Sequence, residues 1–130
     1  MTNQLDNTKI SKKENIYDLE ERTSKFSIRI IKFSKQTKIN FLNKPLFIQL
    51  IKSATSIGAN YCEADEAESK KDFKHKIGIC KKEARETCYW LKLIANALPI
   101  HKEKLKIFYQ ESKELRLIFN AIIYSSKNNA

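Results

Sequence analysis

Residues 53–95 read SATSIGANYCEADEAESKKDFKHKIGICKKEARETCYWLKLIA, two helix-period runs joined by a short acidic connector. At the joint, Ser69 followed by Asp72 is a capping-box variant. The hydroxyl can accept from an early helix N–H while the carboxylate favours the positive helix end, so a helix should start there. Beyond it Phe73, Ile77, Cys80, Ala84, Cys88, Leu91, Ala95 and Leu98 recur by threes and fours, one face of an α-helix. At about 100° per residue, Lys71, Lys74, Lys81, Lys82, Arg85 and Lys92 share one flank of that stripe, and Asp72, Glu83 and Glu86 share the other. Trp90, Leu93 and Ala97 continue the acidic flank, which gives this helix more apolar surface than one core stripe uses. Two readings stay open. One is a wide core stripe; the other is an oligomer interface of Glu83, Glu86, Trp90, Leu93 and Ala97, with the carboxylates meeting Lys or Arg of a neighbouring subunit.

Working outward, the first run of the stretch belongs to a helix entered at Pro45, which suits a first turn because no N–H is needed there. Its apolar side is Phe47, Leu50, Ile51, Ala54, Ile57, Gly58 and Tyr61. Glycine in mid-helix costs up to about 1 kcal/mol relative to alanine, so close approach of another helix is expected at Gly58. Beside this stripe runs a polar ladder of Ser53, Ser56, Asn60 and Glu63. We read it as an interhelix seam, since buried polar groups must be paired; a ligand site is the other possibility.

Upstream, Ile16, Leu19, Thr23, Phe26, Ile30 and Phe33 form a helical stripe ending near Gln36, and Arg22, Lys25, Arg29 and Lys32 repeat beside it without interleaved carboxylates. Such a ribbon is either a solvated face or one that tracks phosphates. Downstream, Pro99 closes the third helix. A fourth from about His101 to Ser126 carries Leu105, Phe108, Ser112, Leu115, Phe119 and Ile122 at bundle spacing. Residues 1–15 and 127–130 read as tails. The expected fold is all-α, an antiparallel up-down-up-down four-helix bundle over 16–126, because short connections make consecutive helices antiparallel neighbours.

Two glycines and two prolines in 130 residues argue against an all-β chain. The net charge of +10 makes a polyanion a plausible partner, although an AT-rich coding bias toward Lys, Asn and Ile would also produce it. Cys62, Cys80 and Cys88 are odd in number and no apolar signal stretch opens the chain, so a reducing cytoplasm is expected. No run reaches the roughly 18 apolar residues of a spanning helix, and membrane-surface binding is not favoured because the apolar stripes are committed to a core. No enzyme, metal or cofactor signature emerges. His75 and Asp72 give one D-x-x-H where a di-metal bundle uses two E-x-x-H motifs and two further glutamates, and glycine-rich phosphate loops are missing.

The combination S-I-x-A-N-x-x-E at Ser56, Ile57, Ala59, Asn60 and Glu63, S-K-K-D-F at 69–73 and K-E-A-R-E-T-x-Y-W-L at 82–91 resembles the four helix bundle protein family, also described as the 23S rRNA intervening-sequence protein family. The similarity extends more weakly over about 16–126. It implies a bacterial, cytoplasmic four-helix bundle that assembles as a homopentamer with a central channel. A related branch serves as the accessory protein of diversity-generating retroelements, contacting nucleic acid and a reverse transcriptase through basic surfaces. Relatives often carry a small residue where Glu83 stands. From residues and resemblance together, the expected function is non-enzymatic binding of RNA or DNA by an oligomer, through Arg22, Lys25, Arg29, Lys32, Lys71, Lys74, Lys81, Lys82 and Arg85. A nucleic-acid-processing protein is a further expected partner. The alternative is a structural or protein-interaction oligomer whose charge only solubilises it.

Overall fold

The computed structural model describes residues 11–128, with side-chain surroundings for 19–125. Four α-helices follow one another: α1 (Ser11–Gln36), α2 (Lys44–Asp65), α3 (Lys70–Ala97) and α4 (Lys102–Asn128), with a 3₁₀ turn, Pro99–His101, between the last two. Residues 11–15 and 127–128 belong to helices rather than to tails. The tails read at 1–10 and 129–130 lie outside the described residues, as does the side chain of Ile16.

The joints follow local chemistry. Ser69 Oγ accepts from the Asp72 N–H at 3.0 Å, the hydroxyl half of the capping box. Pro45 sits in the first turn of α2. In the loop before it, Asn40 Oδ1 accepts from the N–H groups of Leu42 and Asn43, and Asn43 Oδ1 accepts from the Asn40 N–H. The Asn43 oxygen is thereby used on the loop, and the helix end receives no side-chain cap from it.

Pairs between neighbouring helices fix their directions. Ser53 meets Thr87, Ile57 meets Cys80 and Glu63 meets Lys76, so partner numbers in α3 fall as those in α2 rise. Ala84 with Ser112 and Cys88 with Tyr109 do the same for α3 and α4. Ser27 with Ala54 and Phe33 with Phe47 do so for α1 and α2, and Arg22 with Glu111 and Phe33 with His101 for α1 and α4. Each adjacent pair is antiparallel. Helix α3 is packed between α2 and α4, whereas α1 lies on α2 and touches α4 lightly, leaving a groove along that edge.

The core holds the stripes read in the sequence, including Leu19, Phe26, Ile30, Phe33, Phe47, Leu50, Ala54, Ile57, Tyr61, Leu105, Phe108, Leu115 and Phe119. On α3 the buried sector is turned toward α2. Thr87 and Ile94 are buried, while their neighbours Cys88 and Ala95, and Phe73, are only half-buried. The reason is chemical: Thr87 Oγ1 lies 2.8 Å from Ser53 Oγ and donates to its own helix at Glu83, so a threonine can occupy the core. At Gly58 a Cβ would lie 2.9 Å from Thr23 Oγ1, so the close approach of a neighbouring helix expected there is present, and the neighbour is α1.

Candidate nucleic-acid interface

Two cationic surfaces flank α4 on opposite sides. The first lies where α3 meets α4. Ser112 Oγ donates to the Ala84 carbonyl at 2.8 Å, and the Cys88 thiol points to the Tyr109 carbonyl at 3.9 Å, so these two helices are in register. From α3 come exposed Lys71, Lys82, Arg85 and Lys92 and half-buried Lys74 and Lys81. From α4 come exposed Lys113 and half-buried Arg116, one and four residues beyond Ser112, which anchors α4 on Ala84. Burial pushes the Cys88 thiol pKa up, while a hydrogen bond with Ser112 and the charges of Arg116 and Lys113 pull it back. None of these cations is within an ion pair among the described residues. Tyr89, Tyr109 and Tyr124 are exposed on the same two helices.

Lys113 and Arg116 were not among the residues singled out from the sequence. The signal was available. At about 100° per residue, Arg116 and Lys113 share the flank of Ser112, and Glu111 and Glu114 take the other.

The second surface is the α1–α4 edge, and it divides the basic ribbon of α1. Arg22 is not free to meet a partner. Its Nε and Nη2 donate to both Glu111 oxygens at 2.7 and 2.9 Å, and Nη2 also donates to Glu114 Oε1 at 2.8 Å. The Glu111 hydrogen bond, outweighing partial desolvation, drives the Arg22 pKa further above its ordinary range. Lys25, Arg29 and Lys32 remain exposed without ion pairs among the described residues. The nine predicted contact residues therefore do not form one interface: those of α1 and those of α3 are separated by α4.

The polar ladder of α2 resolves residue by residue. Ser53 reaches across to Thr87, and Glu63 accepts from Lys76 Nζ of α3 at 2.6 Å, raising the pKa of that lysine. Ser56 and Asn60 instead donate back to carbonyls of their own helix, at Lys52 and Ser56, so they are not part of an interhelix seam. Periodicity placed them beside the core but could not show which partner lay within reach.

On the opposite edge of α3, Trp90 packs against the core from its margin and meets Tyr89 edge-to-face, centroids 5.1 Å apart. Its Nε1 is buried and has no hydrogen-bond partner among the described residues. Leu93 is half-buried, and Glu86 and Ala97 are exposed. Burial, then the neighbouring Glu86, push the Glu83 carboxyl up, with Lys52 and Lys82 opposing. No helix among the described residues is long and apolar enough to cross a membrane, and no group of three His, Cys, Asp or Glu among them could hold a metal ion.

Comparison with known proteins agrees with this architecture. No curated protein matches. A solved structure of a protein of unknown function from the S23 ribosomal protein family of Bacteroides thetaiotaomicron is 33% identical, with a TM-score of 0.71, covering 80% of this chain and 96% of that one. The family profile of the 23S rRNA-intervening sequence protein matches residues 13–121, spanning all but the outer ends of the bundle. The chain thus belongs to the 23S rRNA-intervening sequence protein family.

Proposed function

We propose that this protein is a non-enzymatic, oligomeric helical module that binds RNA or another polynucleotide through its phosphates, along the α3–α4 face. The observation that carries the reading is a cationic strip supplied by both helices, Lys74, Lys81 and Arg85 with Lys113 and Arg116, with no ion-pairing carboxylate among the described residues. Cations gathered this way repel one another, and a polyanion relieves that repulsion while releasing its own counterions. Exposed Tyr109, beside Cys88 at the α3–α4 contact, adds a ring on which a base can stack. Titration of single- and double-stranded RNA and DNA at several salt concentrations tests it. Affinity should fall steeply with salt, and Lys81→Gln with Arg85→Gln should weaken binding and flatten that dependence. Absence of binding to all four at low salt would sink the proposal.

A second reading, subunit assembly without nucleic acid, is favoured by the buried unpartnered indole N–H of Trp90 at the edge where sequence reasoning placed an interface. An unsatisfied buried donor costs about 1–3 kcal/mol, and an acceptor on a neighbouring subunit would remove that cost. Light scattering on the wild type and on Trp90→Ala, Leu93→Ala decides it. A wild-type monomer ends this reading.

A further inference from the structure

We infer that the groove between α1 and α4 is a nucleotide subsite, receiving one phosphate on Arg29, Lys32 and Lys104 and one planar base against Ile107, above the buried Phe33 and Phe108. The groove has a volume of about 230 Å³, and none of its lining residues is acidic. Its three cations are exposed and, among the described residues, make no ion pair. Their freedom contrasts with Arg22 on the same flank of α1, where α4 supplies two carboxylates and closes the site with a bidentate clamp. Toward the other end of that edge, α4 presents Lys104 instead, so the charge left open is concentrated at the groove.

The floor is apolar. Phe33 and Phe108 are buried with their rings 5.5 Å apart at 67°, and His101 meets Phe33 edge-to-face at 5.3 Å. Lys104 Nζ stands over the Phe108 ring, 6.0 Å from its centroid, at the outer reach of a cation–π contact. Ile107, 58% exposed, forms an uncovered wall. Gln36 adds an amide with both donors and an acceptor, the combination that reads a base edge.

Size selects among anionic ligands. Pockets for drug-sized molecules run from about 300 to 1,000 Å³, so this one takes a single ring system. A fatty acid would need a long apolar tunnel, and a bare phosphate would leave the phenyl floor unused. A phosphate joined to a flat ring satisfies both halves. The inference goes beyond the polynucleotide reading, because it needs no long strand and lies on the other flank of α4. The nucleotide could be free or part of a strand.

Calorimetric titration of the full chain at low salt with AMP, adenosine, inorganic phosphate and a ten-nucleotide single-stranded RNA tests it. A free-nucleotide site predicts AMP binding at least tenfold tighter than adenosine or phosphate, with at least tenfold loss on Arg29→Gln with Lys104→Gln and none on Lys38→Gln. A strand site predicts weak AMP binding but at least tenfold loss of RNA affinity in the same double variant. Perturbation of the Gln36 side-chain amide signal in NMR should accompany either. If AMP binds no more tightly than phosphate and RNA affinity in the double variant stays within twofold, the subsite is overturned. The α3–α4 variants report separately on the polynucleotide reading, so the two can fail independently.

Discussion

The two glycines of this chain sit at mid-helix and do different things. A Cβ at Gly58 would meet Thr23 Oγ1 at 2.9 Å and Thr23 Cβ at 3.2 Å, and Thr23 is a buried, β-branched residue whose hydroxyl donates to the Leu19 carbonyl. A Cβ at Gly78 would meet no packing neighbour within 4 Å among the described residues. Alanine gains up to about 1 kcal/mol of helix propensity at either position. At Gly58 the overpacking penalty of roughly 1–3 kcal/mol outweighs it. Urea unfolding should therefore find Gly58→Ala destabilised and Gly78→Ala stabilised; equal effects would contradict the packing. The close approach at Gly58 was legible in the sequence because a costly residue implied a reason. The core role of Thr87 was not, because spacing does not show that its hydroxyl, bonded to the Glu83 carbonyl of its own helix, also meets Ser53, 34 positions away. Thr87→Val should cost about 1 kcal/mol, since the Ser53 hydroxyl loses Thr87 and keeps only its longer bond, 3.3 Å, to the Leu50 carbonyl. Combined with Ser53→Ala, the cost should be less than the sum of the two single changes.

At the scale of the helices, caps, joints and most of each stripe could be read from spacing, because they depend on residues three or four apart, although on α3 spacing put Cys88 and Ala95 where Thr87 and Ile94 are buried. What joins one helix to another could not. The ribbon of Arg22, Lys25, Arg29 and Lys32 looked uniform until α4 placed Glu111 and Glu114 against its first member, 89 and 92 residues away. This pins α1 to α4 at an edge where the two helices otherwise touch lightly. With 31% and 24% side-chain exposure, the Arg22–Glu111 pair is only partly screened. Arg22→Met should cost about 1 kcal/mol after allowance for solvent, above the few tenths of an exposed pair. Chemical denaturation should show that loss, shrinking as salt is added. The same variant should leave polynucleotide affinity unchanged, because Arg22 is already occupied; a large drop would return it to the interface.

For the molecule as a whole, two terms set the pH of greatest stability, and they oppose one another. A net charge of +10 and a pI near 9.5 mean that self-repulsion in the compact state falls as pH rises from neutral. Against this, burial pushes the Cys80 thiol up to about 12, and burial with the nearby Asp65 and Glu20 charges pushes the Tyr61 phenol up to about 12. Both folded-state values lie above those of an unfolded chain, about 8.5 for cysteine and 10 for tyrosine. Their contribution to stability is thus complete below the unfolded values and is lost as pH climbs toward the folded ones. Each group ionised only in the unfolded state then removes about 1.4 kcal/mol per pH unit. The maximum should fall between about pH 8 and 9.5, more alkaline than the usual range of roughly 5 to 8. Urea unfolding at pH 6, 7.5, 9, 10 and 11 should trace a rise and then a steep fall. Tyr61→Phe should make the limb above pH 10 shallower, since one of the groups that ionise later in the folded state no longer titrates. A decline that begins at neutral pH would mean that charge repulsion is negligible in this bundle. An unchanged alkaline limb in Tyr61→Phe would mean that the phenol ionises as readily folded as unfolded.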